Sequence, residues 1–139
     1  MKKLIVALFA AILTTAGLVA VSSAPASAAC KKSDYNCVAT KPKPKAPRVV
    51  KPNKPAKVKI DVRAKGASNI TPTGTVKITV KGPGGFTRVI KATYDGKTLK
   101  FKLGKLKKAG IYTVTVKFNG DRGFENSDNS TKITVKKKN

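Results

Sequence analysis

The chain has 139 residues, with 30 Lys and Arg against 6 Asp and Glu, a formal charge of +24 at pH 7. It holds no His, no Trp, two Cys and a single Met at position 1. Without His no Ser-His-Asp or Cys-His catalytic set can be assembled and His-ligated zinc or haem is excluded, while the length leaves room for one domain with a tail.

Residues 1–29 read as a secretory signal. Lys2 and Lys3 form a positive start, Leu4 to Val21 an apolar run, and Ser22 to Ala29 a stretch of small residues around Pro25. Ala26-Ser27-Ala28 is an A-x-A cleavage site, so a signal peptide over 1–28 is expected, with a mature, secreted chain from Ala29. A membrane anchor and a lipid on Cys30 are the competing readings. Thr14, Thr15 and Gly17 weaken the first, and Ser27, where lipoprotein signals usually carry Leu, weakens the second. No transmembrane segment is expected after cleavage. In an oxidising compartment Cys30 and Cys37 are expected to pair, within one chain or between two. An internal bridge would close a small ring and stiffen the tip of the chain without touching a core strand.

Residues 29–56 are read as a basic tail. From Thr40 to Lys59 the sequence is TKPKPKAPRVVKPNKPAKVK, in which Pro42, Pro44, Pro47, Pro52 and Pro55 prevent helix and favour an extended spacer.

From Lys57 the period becomes two. Val58, Ile60, Val62 and Ala64 alternate with Lys57, Lys59, Asp61, Arg63 and Lys65. The pattern returns at Val76–Val80, at Phe86–Tyr94 with Arg88 out of character, at Leu99–Leu103, at Tyr112–Phe118 and at Ile133–Val135. Each run reads as a half-buried antiparallel strand. Gly66-Ala67-Ser68-Asn69, Thr71-Pro72-Thr73-Gly74, Gly82-Pro83-Gly84-Gly85, Asp95-Gly96 and Asn119-Gly120 supply the turns. An all-β antiparallel sandwich over residues 57–137 follows.

Pro72-Thr73-Gly74-Thr75-Val76-Lys77-Ile78, Leu106 through Ala109-Gly110-Ile111-Tyr112-Thr113-Val114, and Phe118-Asn119-Gly120-Asp121 with Phe124 and Ser127 resemble motifs of the bacterial Ig-like domains of the group-3 repeat type. Ile133-Thr134-Val135 resembles the closing strand of that family, and Ile78 departs from it, standing where Phe is usual. The resemblance implies an immunoglobulin-like β-sandwich that acts as a rigid, non-catalytic module of an exported protein, with Gly110, Gly120 and Asp121 in structural roles. Tyr112 has its own physical reading, at the start of the penultimate strand where a tyrosine corner sends its hydroxyl to upstream backbone.

Carboxylates are scarce. Asp121, Glu125 and Asp128 share one loop with Asn126 and Asn129, a weak calcium candidate without EF-hand spacing. Gly82-Pro83-Gly84-Gly85 is not a phosphate loop, since Pro83 lacks a donor and no helix follows. No enzyme activity, cofactor or metal is expected.

The lysines carry the signal. On strand faces they block edge-to-edge pairing, yet solubility alone would be served as well by Glu, so the excess of cations points to a polyanionic partner. Lys41, Lys43, Lys45, Arg48, Lys51, Lys54, Lys57, Lys136, Lys137 and Lys138 are the candidate contacts. The expected function is a secreted adhesion module, monomeric, that binds anionic cell-envelope polymers electrostatically. The alternative is a sequence-independent binder of extracellular DNA or of anionic membrane surface. Sequence-specific nucleic-acid reading is not expected, since no recognition helix is visible.

Overall fold

The computed structural model describes Cys30 and residues 37–66, 69–121 and 123–137. The expected signal peptide lies outside these residues, as does Lys138. The strands are β1 (Thr40–Lys45), β2 (Val49–Val50), β3 (Pro55–Ala64), β4 (Gly74–Gly82), β5 (Phe86–Tyr94), β6 (Leu99–Lys105), β7 (Gly110–Gly120) and β8 (Ser127–Val135). They form a three-stranded sheet, β1-β3-β6, and a five-stranded sheet, β2-β8-β7-β4-β5. All pairings between strands are antiparallel except β2 with β8.

Alternation buries one side of each sheet against the other. Val58, Ile60, Val76, Ile78, Val80, Val114, Val116 and Ile133 are fully buried between them. Each such side chain contributes about 1.5–3 kcal/mol of burial. The first part of the chain pairs with β3, then crosses at Ala46–Arg48 to lie parallel to β8, and β3 to β8 pass back and forth between the layers. This is an immunoglobulin-like sandwich with a split first strand.

The Pro/Lys segment is extended, but it is not a free spacer. Residues 40–45 form β1 in register with β3, from Thr40 opposite Ala64 to Lys45 opposite Lys59. The sheet therefore begins at Thr40 rather than Lys57. Proline is tolerated because β1 is an edge strand. The carbonyl of Pro42 accepts from Asn129 Nδ2 at 2.9 Å on β8, so the side of Pro42 that lacks a donor faces away from β3. Thr40, 4% exposed, donates from Oγ1 to the Glu125 carbonyl at 2.9 Å and shares a hydrogen bond with Ser127 Oγ.

Two tyrosines lock the layers. Tyr94, at the end of β5, reaches across the core to β3, where its hydroxyl accepts from Val62 N at 3.0 Å and donates toward Asp61 Oδ1 at 3.0 Å. Its ring meets Phe118 edge-on at 6.0 Å. Tyr112 donates to the Lys108 carbonyl at 3.0 Å, which is the geometry of a tyrosine corner, and its ring meets Phe86 edge-on.

Candidate polyanion interface

The outward side of the three-stranded sheet is a lattice of cations. β1 presents Lys41, Lys43 and Lys45, β3 presents Lys57, Lys59 and Arg63, and β6 presents Lys100 and Lys102, all exposed. Register aligns Lys45, Lys59 and Lys100 in one row across the three strands, and Lys57 with Lys102 in the next. Directly opposite residues stand about 5 Å apart at Cβ, where like charges repel; successive outward residues of a strand are about 6.7 Å apart.

One carboxylate interrupts this face. Asp61 sits opposite Lys43. Its Oδ2 takes Arg63 Nε at 3.3 Å while Oδ1 takes the Tyr94 hydroxyl, so its charge is engaged beside and beneath the face. Burial above all pushes the Tyr94 hydroxyl above its ordinary value of 10.0; the hydrogen bond to Asp61 and its charge add to the rise, and the Val62 backbone bond opposes it.

Most of the candidate cations fall into two groups, with Lys54 apart from both. Lys41, Lys43, Lys45 and Lys57 belong to the lattice. Arg48, Lys51 and Lys136 gather where β2 meets the end of β8, through Thr134 N to the Arg48 carbonyl and Lys136 N to the Val50 carbonyl, and Lys137 follows in sequence. Lys54 lies against the turn after β6, its carbonyl facing Leu106 N. Sequence reasoning left out Lys59, Arg63, Lys100 and Lys102, half of the lattice. Their alternation was visible, but their neighbours were set by pairing with β1 and β6.

The calcium candidate is not assembled. Among the described residues no three His, Cys, Asp or Glu side chains converge on one point. Asp128 stands opposite Lys117 on the outer face of the five-stranded sheet, and Asp121 is exposed at the end of β7. The loop's backbone is organised by other groups. Asn126 Oδ1 accepts from Gly120 N at 3.0 Å, and the Asp121 carbonyl accepts from Phe124 N at 3.0 Å. A side chain on Gly120 would strike the backbone of Phe124, and one on Gly110, at φ +134°, would strike Pro83.

Cys30 and Cys37 form a disulfide within the chain. It does more than stiffen a loose tip. Cys30 bridges to Glu125 and Val38 to Phe124, while Val38 N donates to the Gly123 carbonyl and Glu125 N to the Val38 carbonyl. Val38 also packs against the core. The ring thus fastens the segment before β1 to the connection between β7 and β8.

Arg88, a charged residue at an apolar-phase position of β5, closes the gap between the sheets: its Nη1 donates to the Leu103 carbonyl of β6 at 2.7 Å. A hollow of about 630 Å³ lies at one end of the sandwich, lined by Asp61, Arg63, Ile70, Thr71 and Gly96 among others. Its acid and its base are already paired with each other.

No protein-family model and no curated protein matches the chain. Solved structures resemble it in fold. The PKD domain of an M14-like peptidase from a Thermoplasmatales archaeon is 16% identical, with 69% of this chain and 93% of that one covered at a TM-score of 0.48. The CARDB domain of a Pyrococcus furiosus protein, solved with di-metal ions, is 18% identical over 70% and 87% at 0.47. A superoxide reductase (neelaredoxin) from Ignicoccus hospitalis is 19% identical over 68% and 80%, also at 0.47. At these values no activity or residue role passes from any of them to this chain.

Proposed function

We propose that the chain is an exported, non-catalytic Ig-like module, allied to the group-3 bacterial Ig-like domains, whose three-stranded face adheres to anionic polymers of the cell envelope. The observation that carries this is the row Lys45–Lys59–Lys100 beside the pair Lys57–Lys102. A polyanion lying across the lattice relieves the repulsion within these rows and releases its own counterions, so binding gains from both partners. Export is supported by the leader pattern of residues 1–28 and agrees with the disulfide. Among the described residues no helix is long and apolar enough to cross a membrane.

The test is pulldown of the mature protein on purified cell wall, stepped from about 20 to 500 mM salt, beside wall stripped of its anionic polymer. With about five phosphate contacts, affinity should fall about a hundred-fold between 50 and 200 mM salt and vanish on stripped wall. Retention that survives both treatments would overturn the reading. So would duplex DNA competing more strongly than wall polymer.

A further inference from the structure

The outward side of the five-stranded sheet carries cations that adhesion through the lattice leaves unused. Register sets Lys91, Lys77 and Lys117 side by side on β5, β4 and β7. Two outward rows along, Lys81 and Lys132 flank Thr113. All five lysines are exposed, and the carboxylate aligned with the first row is Asp128, at its end. Between the rows lie the hydroxyls of Thr79, Thr115 and Ser130, which can donate to phosphate oxygens. Beside Lys77 and Lys91 lies a shallow depression lined also by Thr75, Asn119 and Asn126, with the Asp121 carboxylate at its rim.

This face points away from the first. Two packed sheets are about 10 Å apart, and their outward side chains project in opposite directions. A polymer segment lying on one face therefore cannot also lie on the other without wrapping around the domain. We propose that the five-stranded face is a second docking surface for the same phosphodiester wall polymer, so that one domain holds two segments at once and cross-links them. The proposal rests on the adhesion reading of the first face. Charge complementarity carries it, together with hydroxyl donors placed between the cations. A domain with one binding face could only coat a polymer, whereas two opposed faces make every bound molecule a bridge.

The experiment titrates mature protein into purified poly(glycerol phosphate) teichoic acid at about 20 mM salt, followed by light scattering and by pulldown. Scattering should rise and then fall with molar ratio, as bridges form and are then saturated. A variant carrying Lys77→Gln, Lys81→Gln, Lys91→Gln, Lys117→Gln and Lys132→Gln should still bind in the pulldown, with peak scattering reduced about ten-fold. A charge-matched control, with Lys65→Gln, Lys97→Gln, Lys105→Gln, Lys107→Gln and Lys108→Gln at strand ends and turns, should lose less than about two-fold. Thermal unfolding verifies that each variant is folded, and the smaller set Lys77→Gln, Lys91→Gln and Lys117→Gln serves should the larger not fold. Equal loss in variant and control, or none in the variant, would overturn the proposal. Wild-type protein that binds without scattering would overturn bridging and leave adhesion standing; wild-type protein that does not bind would overturn both.

Discussion

The two outward faces of the sandwich arise from the same alternation, yet they differ in charge density. On β1, β3 and β6 nearly every outward position is Lys or Arg, and register places lysines against lysines in adjacent rows. On β5, β4, β7 and β8 threonine and serine separate the lysines, and the row Lys91–Lys77–Lys117 runs into Asp128. The first face is a dense field suited to a flexible polyanion; the second mixes fewer charges with hydroxyl donors. Charge density at a surface is thus a property of register, since composition alone does not say which lysines become neighbours.

The largest expected effect separates the faces by charge reversal. Lys45→Glu, Lys59→Glu and Lys100→Glu together should weaken wall binding at about 100 mM salt by a hundred-fold or more, and flatten its salt dependence. Lys77→Glu, Lys91→Glu and Lys117→Glu should cost several times less in the same assay. Equal losses would mean that net charge, not the lattice, governs adhesion.

Tyr94 joins the layers that carry the two faces, so Tyr94→Phe tests whether the lattice has a rigid support. Losing the hydroxyl leaves Val62 N without its buried partner and should cost about 1–3 kcal/mol in denaturant unfolding. The pH dependence has a definite sign. A tyrosine held above 10.0 in the folded state stabilises fully below that pH, and the benefit is lost as pH rises through the folded value. The stability difference between wild type and Tyr94→Phe should therefore shrink as pH rises above 10.0 and through the folded value.

Arg88 bridges the open edge between the sheets. Arg88→Met keeps much of the side-chain volume but removes the bond to the Leu103 carbonyl, with an expected loss of about 1 kcal/mol in thermal unfolding. Exposure of the β5 and β6 edges should also raise aggregation on heating.

The smallest effect has the opposite sign. Lys59→Glu, standing between Lys45 and Lys100, should stabilise the fold by about 0.5 kcal/mol while weakening wall binding. Loss of stability in that variant would show that the lysine row carries no repulsive cost.

Much of the fold was legible. The period of two from Val58 onward announced strands, and it correctly sent the strand lysines outward and the alternating Val and Ile side chains inward, while Val89 and Ile111, on the opposite phase, are exposed. Other elements were hidden for physical reasons. TKPKPK has the alternation of a strand, but its prolines read as polyproline, because only an edge position with a suitably facing partner makes them compatible with a sheet. The first half of β8, Ser127 to Thr131, has no apolar phase; its Ser127 and Asn129 bond to β1. Arg88 looked misplaced until its carbonyl partner on another strand was known.

The sequence by itself determined the all-β class, the identity of inward and outward residues along most strands and the excess of positive charge, all properties carried by composition or by near neighbours in the chain. Only the tertiary structure decided which lysines stand in one row, that the Pro/Lys segment is an edge strand, that the disulfide ring is tied to the connection between β7 and β8, and that Asp121, Glu125 and Asp128 do not meet at one point. Those outcomes depend on pairings between residues far apart in the chain, such as Thr40 with Ser127, 87 positions on. A local pattern can say that a residue faces outward, but its neighbour on the next strand is chosen by the register of the whole sheet.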